Sequence, residues 1–421
     1  VTSIKESEVV RSIRSGKLRH HELESKLGFR VSDAAALRRK FLEEETKTKL
    51  EHVGRFSINL EPTLARNIES AIGCVQIPVG IAGPVKIHGK EVMKDERVYI
   101  PLCTLEGALV ASVNRGCRAI NESGGANARI VRNGMTRAPA FVARNLETAA
   151  DFAEFVEKNF SDIKKIFEKD AEYLHLTGVR SWIVGRTVFV RFTADTADAM
   201  GMNMMTLATT RTCKWLEAKA SGIKCSVVSG NLCVDKKPSA MNLIEGRGKT
   251  VIAEVRLSRK VISSVLKTTP ESILDSYFRK VCLGSSLSVS LGLNSHSANV
   301  VAALFLATGQ DAAQVVESSM AITTVEPDGD DVYFSVTLPS LEVGVVGGGT
   351  SLPTQKEMLG ILKCVPDSSI KTKPGASAKR LAEIIATAVL AGEISLLASL
   401  SEGTLASSHE KLGRGEFKGK L

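Results

Sequence analysis

Apolar residues in the first part of the chain recur at helical intervals. In "DAAALRRKFLEEETKTKLEHV" (Asp33–Val53) they are separated by Arg, Lys and Glu, which predicts packed surface helices and few strands up to about residue 70. From "QIPVGIAGPVKIHG" (76–89) the texture shifts to glycine, proline and β-branched residues. A strand follows in "RVYIPL", then a helix near "EGALVASVNRGCRAI" with Glu106 in its first turn. The next stretch is the most regular. A strand-like "AFVAR" precedes a helix, "LETAADFAEFVEKNFSDIKKIF" (146–167). Two strands, "YLHLTGVRSWIV" and "RTVFVRFTA", meet near Gly185, and a helix, "DAMGMNMMTLATTRTCKWLEAKA", leads into a last strand, "KCSVVS". Beyond residue 230 the pattern is mixed, with helices expected around 260–283, 297–308, 312–321 and 375–410.

The order β-α-β-β-α-β is that of a split βαβ, ferredoxin-like unit. Glycine-rich, site-like sequence lies on both sides of it, so it reads as an insertion. The expected architecture is α+β. It comprises a small helical N-terminal domain (1–70), a large mixed substrate-binding domain (71–138 and 229–421) and an inserted ferredoxin-like cofactor domain (139–228).

Composition narrows the function. A chain of 421 residues with 43% hydrophobic and 24% charged residues has the makings of a substantial globular core. Its net charge of +9 is spread along the chain apart from a short basic tail, and aromatics are only 5%, too few for the stacking platforms of a single-strand nucleic-acid binder. The positive charge better suits small anionic ligands. The eight cysteines occur singly, without a CxxC pair, as expected of reduced thiols in a cytoplasmic protein. The greasy stretch "IIATAVLAGEISLLASL" (384–400) carries Glu393 at its middle and reads as a buried helix, not a membrane span.

Familiar signatures are missing. "EGRGKT" lacks the first glycine of a phosphate-binding loop, with Leu243 in its place, and "VGGGT" is not GxGxxG. The histidines are scattered, with no HExxH, so no metal site is expected. What remains are polar residues in apolar or glycine-rich settings. "VVSGNLCVDKKPSAMN" (227–242) places Asp235, Lys236 and Lys237 between strand-like flanks, where an ammonium is costly without a partner or an anionic substrate. Glu106, Asp311 and His409 could be a helix-start acid, an N-cap and a helix-end histidine. Together with Asp235–Lys237 they also form a possible acid, base and cation set for carbonyl chemistry. "DAMGMNMM" (198–205) sets a flexible glycine at a helix start, where backbone N–H groups can approach a phosphate.

Taken in order, "ESAIGCVQIPVGIAGP", "TLEGALVASVNRGCRAI", "NGMTRAP", "DAMGMNM", "SGNLCVDKKPSAMNLIEGRGK", "NSHSANVVAALFLATGQDAAQ", "LPSLEVGVVGGGT" and "SSHEKLGR" resemble the 3-hydroxy-3-methylglutaryl-coenzyme A reductase family, class I, over about residues 60–415. The resemblance implies reduction of a thioester to an alcohol with two nicotinamide hydrides, giving mevalonate and free coenzyme A in the committing step of isoprenoid synthesis. It implies Lys236 as the cation on the developing oxyanion, Glu106 and His409 as proton donors, and Asp311 as the carboxylate that tunes them. Arg137, Ser229, Asp235, Lys237, Lys280 and Asn299 would hold the acyl group. Ser112, Asn114, Arg115 and His296 would lie along the coenzyme A path.

The cofactor would be NADPH rather than NADH, on Asp198, Met200, Gly201, Met202, Asn203, Gly347, Gly348, Gly349 and Arg414. NADPH-using class I relatives carry an arginine where this chain has Glu172, which leaves the 2′-phosphate to other cations such as Arg414. Family resemblance further implies a homodimer or tetramer with interfacial sites, no nucleic-acid partner and no membrane segment within this chain. The alternative is an NAD(P)H-dependent reductase of another acyl-coenzyme A thioester on the same scaffold.

Overall fold

The computed structural model describes residues 6–64, 67–366 and 373–403. Its mixed helices and strands bear out the α+β class. Helices Glu6–Arg14, Glu22–Leu27 and Val31–Thr46 open the chain and bury Val9, Ile13, Leu23, Ala34 and Leu37 against one another. The buried Arg38 ties them together, with its guanidinium on the carbonyl of His20 and the carboxylate of Glu24.

The strands are β1 (Val79–His88), β2 (Glu96–Cys103), β3 (Ala126–Arg137), β4 (Ala140–Ala143), β5 (His175–Val184), β6 (Thr187–Asp195), β7 (Ile223–Val227), β8 (Gly248–Leu257), β9 (Ile322–Asp328) and β10 (Asp331–Leu341). One path of pairing runs β7-β4-β6-β3-β8-β10-β9, with β1 beside β2 and β3, and β5 on β6. β3 joins the two ends of this sheet. Asn127–Gly134 pair with β8, and Met135–Arg137 pair with β6. Strands β4 to β7, with the helices between them, follow the β-α-β-β-α-β order, and β7, β4, β6 and β5 lie side by side with all neighbours antiparallel. The helix expected over 146–167 breaks at Asn159 into Leu146–Lys158 and Phe160–Glu168.

Two large buried clusters follow from this layout. The smaller packs Phe141, Phe152, Phe167 and Phe192 between the β4–β7 strands and their helices. The larger surrounds helix Ala376–Ser401, whose residues are apolar on every side, so it must lie inside the molecule or in lipid. It is the one helix among the described residues long and apolar enough to cross a membrane, and here it is buried against helix Leu109–Glu122 and the large sheet. Close approach to Leu109–Glu122 requires Gly116, because a Cβ there would sit 1.9 Å from the carbonyl oxygen of Ala391.

The two acids inside the core helix are fully used. Glu383 accepts the backbone N–H groups of Lys90, Glu91 and Val92, and Glu393 those of Ser295 and His296 plus the Thr323 hydroxyl. These bonds explain why carboxylates persist in a helix that otherwise reads as greasy.

Candidate active site

The segment Ser229–Pro238 leaves β7 as a loop whose apolar members point inward. Cys233 and Val234 are buried, while Lys236 and Lys237 are exposed. Asn231, Val234 and Lys236 adopt left-handed backbone, at φ of 63°, 57° and 58°. For residues with a Cβ such conformations cost about 1–3 kcal/mol each and persist only where the surroundings impose them. Here the surroundings are visible. Thr136 Oγ1 donates to the Cys233 carbonyl at 3.1 Å, and Asn242 Nδ2 donates to the carbonyls of Val234 and Lys237. The N–H of Lys236 donates to Glu317 Oε1 at 2.8 Å. None of these holding residues is evident from sequence pattern, since each is an ordinary polar residue and Thr136 and Glu317 lie 97 and 81 residues from their partners.

The loop delivers Lys236 to Asp311, with Nζ 2.9 Å from Oδ2. This hydrogen bond is the main reason the lysine's pKa rises above its ordinary range. Asp311 Oδ1 meanwhile accepts the N–H of Ala313 at 3.1 Å, so the N-cap and ion-pair readings of this residue both hold, on different oxygens. Asp235 turns the other way. It accepts from Gln314 at 3.0 Å and meets Arg247 at 3.1 Å and Arg137 at 3.8 Å. Burial alone would push its carboxyl up, but Arg247, Gln314 and Arg137 outweigh that and hold it below the ordinary range. Arg137 also donates to Ser229 Oγ at 3.0 Å and Thr206 Oγ1 at 2.7 Å. Lys237 Nζ folds back onto the Asp235 carbonyl.

Arg137, Asp235, Lys236 and Asp311 form one wall of an open cleft of about 830 Å³. Met200–Asn203 and Gly347–Gly349 also line it. Glycines let these loops touch. A Cβ on Gly344 would lie 2.3 Å from the Met200 nitrogen, and one on Gly309 2.3 Å from the Gly349 oxygen. Helix Met202–Lys219 starts at the cleft after Gly201, with no side chain capping its first N–H groups. Asp198 is not among the lining residues. Its carboxylate accepts the N–H groups of Gly375 and Ala378, each at 2.9 Å, and pins the loop to the start of the core helix.

The other expected residues among those described lie outside this cleft's lining. Glu106 is exposed in a turn and precedes helix Leu109–Glu122 instead of sitting in its first turn, because Ala108 takes a left-handed conformation at φ 71°. Ser112 and Arg115 bond to Ser395 and Ser399 of the core helix, and Asn114 accepts the N–H of Gly83, so these side chains lock helix to helix and helix to strand. His296 and Asn299 face each other at 3.4 Å, while Lys280 is exposed. His409 and Arg414 lie outside the described residues.

The carboxylates of Asp235, Glu317 and Glu342 converge within 4.8 Å, a cation-holding pattern, but the Arg247 guanidinium is already ion-paired with all three. The cleft thus offers a paired ammonium, an arginine, a run of glycines and a helix start without a side-chain cap. It suits a substrate that develops negative charge on oxygen and a second ligand that carries phosphates.

Comparison with known proteins agrees with this chemistry. The family described as hydroxymethylglutaryl-coenzyme A reductase matches residues 34–414. The 3-hydroxy-3-methylglutaryl-coenzyme A reductase of Aeropyrum pernix is 47% identical over 412 residues, covering 98% of this chain and 96% of the relative. That of Pyrococcus horikoshii is 46% identical over 410 residues, covering 97% and 98%. Among solved structures, the class II reductase from Streptococcus pneumoniae bound to NADPH shares the fold, with a TM-score of 0.63 at 17% identity, covering 86% of this chain and 96% of that one.

Proposed function

The chain belongs to the hydroxymethylglutaryl-coenzyme A reductase family, and on that premise we propose that it reduces hydroxymethylglutaryl-coenzyme A to mevalonate and free coenzyme A with two hydrides from NADPH. The observation that carries this reading is the Lys236–Asp311 pair facing a glycine-walled cleft.

NADPH supplies hydride when bound. The loops Met200–Asn203 and Gly347–Gly349 would hold it, and they fit, since side chains are excluded where these loops meet their neighbours. Asp198 keeps the first loop in place. Arg414 would be the cation for the 2′-phosphate. The unit 139–228 serves as an inserted ferredoxin-like cofactor domain within the substrate domain formed by 71–138 and 229–421.

Lys236 meets the thioester oxygen as negative charge develops there, where a fixed cation in a partly desolvated site is worth most. Asp311 keeps that ammonium oriented and protonated. Arg137, Ser229, Asp235 and Lys237 hold the acyl group and its free carboxylate, with Lys280 and Asn299 joining them. Glu106 protonates the reduced carbonyl. His409 protonates the departing thiolate, whose parent thiol has a pKa of about 8.5 and which could otherwise re-attack the aldehyde. Ser112, Asn114 and Arg115 shape the coenzyme A path from within, next to His296. Because Glu106 and Lys280 are exposed away from the cleft, we assign them to the neighbouring site of a homodimer or tetramer.

Lys236→Ala tests the central assignment. It is expected to abolish oxidation of reduced cofactor while calorimetry still detects binding of the acyl-coenzyme A. Near-normal turnover by this variant would contradict it.

A further inference from the structure

The costliest feature of the molecule lies behind the site. Arg247 is buried, and its guanidinium meets Glu317 and Gln314 at 3.0 and 3.1 Å, Asp235 at 3.1 Å, and Glu342. Glu317 and Glu342 are buried too, and the outer oxygen of each, with Arg247 Nε, has no hydrogen-bond partner. Burial holds the Glu342 carboxyl well above its ordinary range despite Arg247, whereas Arg247 helps to hold Asp235 below its own. An apolar cluster of the same volume would generally be as stable as such a group of ions. Stability alone therefore gives no reason for it.

Its contacts supply one. Glu317 Oε1 bonds Arg247 on one side and the backbone N–H of Lys236 on the other. That N–H belongs to a residue in left-handed backbone, a conformation a lysine does not hold unaided. Arg247 simultaneously fixes the carboxylate of the preceding residue, Asp235. The result is an ammonium placed 2.9 Å from Asp311 although the Lys236 side chain is 44% exposed.

We propose that Arg247 and Glu317 are positioning residues for the reaction, a buried clamp that sets the backbone of Asp235–Lys236 so that the Lys236 ammonium meets Asp311 at the cleft. Neither residue lines the cleft. The clamp rests on the reading of Lys236 given above.

Two conservative variants separate the clamp from a merely structural or electrostatic role. Glu317→Gln keeps an oxygen in reach of the Lys236 N–H but removes the charge. Glu317→Asp keeps the charge but withdraws the oxygen by one methylene. The clamp predicts that Glu317→Gln retains kcat within about threefold. It predicts that Glu317→Asp loses on the order of a hundredfold in kcat with KM for the acyl-coenzyme A little changed, as a displacement of about 1 Å at a reacting group can cost.

Competitive amine labelling across a pH series reads Lys236 directly, without turnover. Its pKa should fall in Glu317→Asp, as Asp311 is lost, and stay in Glu317→Gln. Equal effects, the reverse order, or failure of both variants to fold would overturn the clamp. If the wild-type protein reduces no thioester, the functional reading fails, and the labelling series still decides the clamp.

Discussion

At the residue scale the site depends on a few polar atoms with unequal visibility in the sequence. Asp235, Lys236 and Asp311 stand out because charged residues in apolar or glycine-rich runs need a reason, Arg137 was expected only from the family resemblance, and the structure brings all four to one cleft. Thr136, Asn242, Glu317 and Arg247 hold them there, yet they carry no local signal: Thr136 lies 97 residues from Cys233 and Glu317 81 from Lys236, and the nearer Asn242 is an ordinary polar residue. Asp198 was expected on a cofactor loop from the family resemblance, whereas its bonds to Gly375 and Ala378 depend on contacts across 177 and 180 residues. The Lys236–Asp311 bond also fixes a pH prediction. A raised lysine pKa means that the ammonium is present below it and lost as pH climbs through it. Asp311→Asn removes the main cause of the rise, so the alkaline limb of the kcat profile should move to lower pH as kcat falls. An unmoved limb would show that Lys236 does not govern it.

Among the elements, long uniform patterns were legible and mixed ones were not. The expected helix at 297–308 matches Ser297–Thr308, and that at 375–410 runs from Ala376 to Ser401 within the described residues, because apolar residues fill every face of both. The strands of the 139–228 stretch are short apolar or β-branched runs between helical patterns and were found. β3 was not, because the inward positions of "ANARIVRNGMTR" begin with alanines flanked by Asn and Arg, which leaves little hydrophobic contrast. Its exchange of partners, from β8 to β6, is a property of the assembled sheet that no periodicity encodes. Element packing gives its own prediction. Gly116→Ala would drive a methyl into the Ala391 carbonyl and force helix Leu109–Glu122 off the core helix. Overpacking of this kind costs about 1–3 kcal/mol, to be read from denaturant midpoints. An unchanged midpoint would mean that these helices do not pack as closely as described.

For the whole molecule, the question is what joins distant parts of the chain. Glu96, at the start of β2, accepts two hydrogen bonds from Arg380 on the core helix, at 2.8 and 2.9 Å, and meets Lys363 at 2.9 Å. Burial would raise its pKa, but Arg380 and Lys363 outweigh that and bring it down to about 2. A depressed carboxyl pKa contributes stability that is present above the unfolded value of about 4.5 and lost as pH falls toward about 2. Glu96→Gln should therefore lower stability at pH 7 by about 2 kcal/mol, with the gap to wild type closing in that acid window. A constant gap across acid titration would remove Glu96 from the account.

The most direct test of the central claim is the loss of reduced-cofactor absorbance when hydroxymethylglutaryl-coenzyme A is added, followed in parallel with NADPH and NADH while released thiol is counted. The account predicts two cofactor molecules oxidised per coenzyme A freed, faster with NADPH. No oxidation with either cofactor, or a ratio of one, would contradict it.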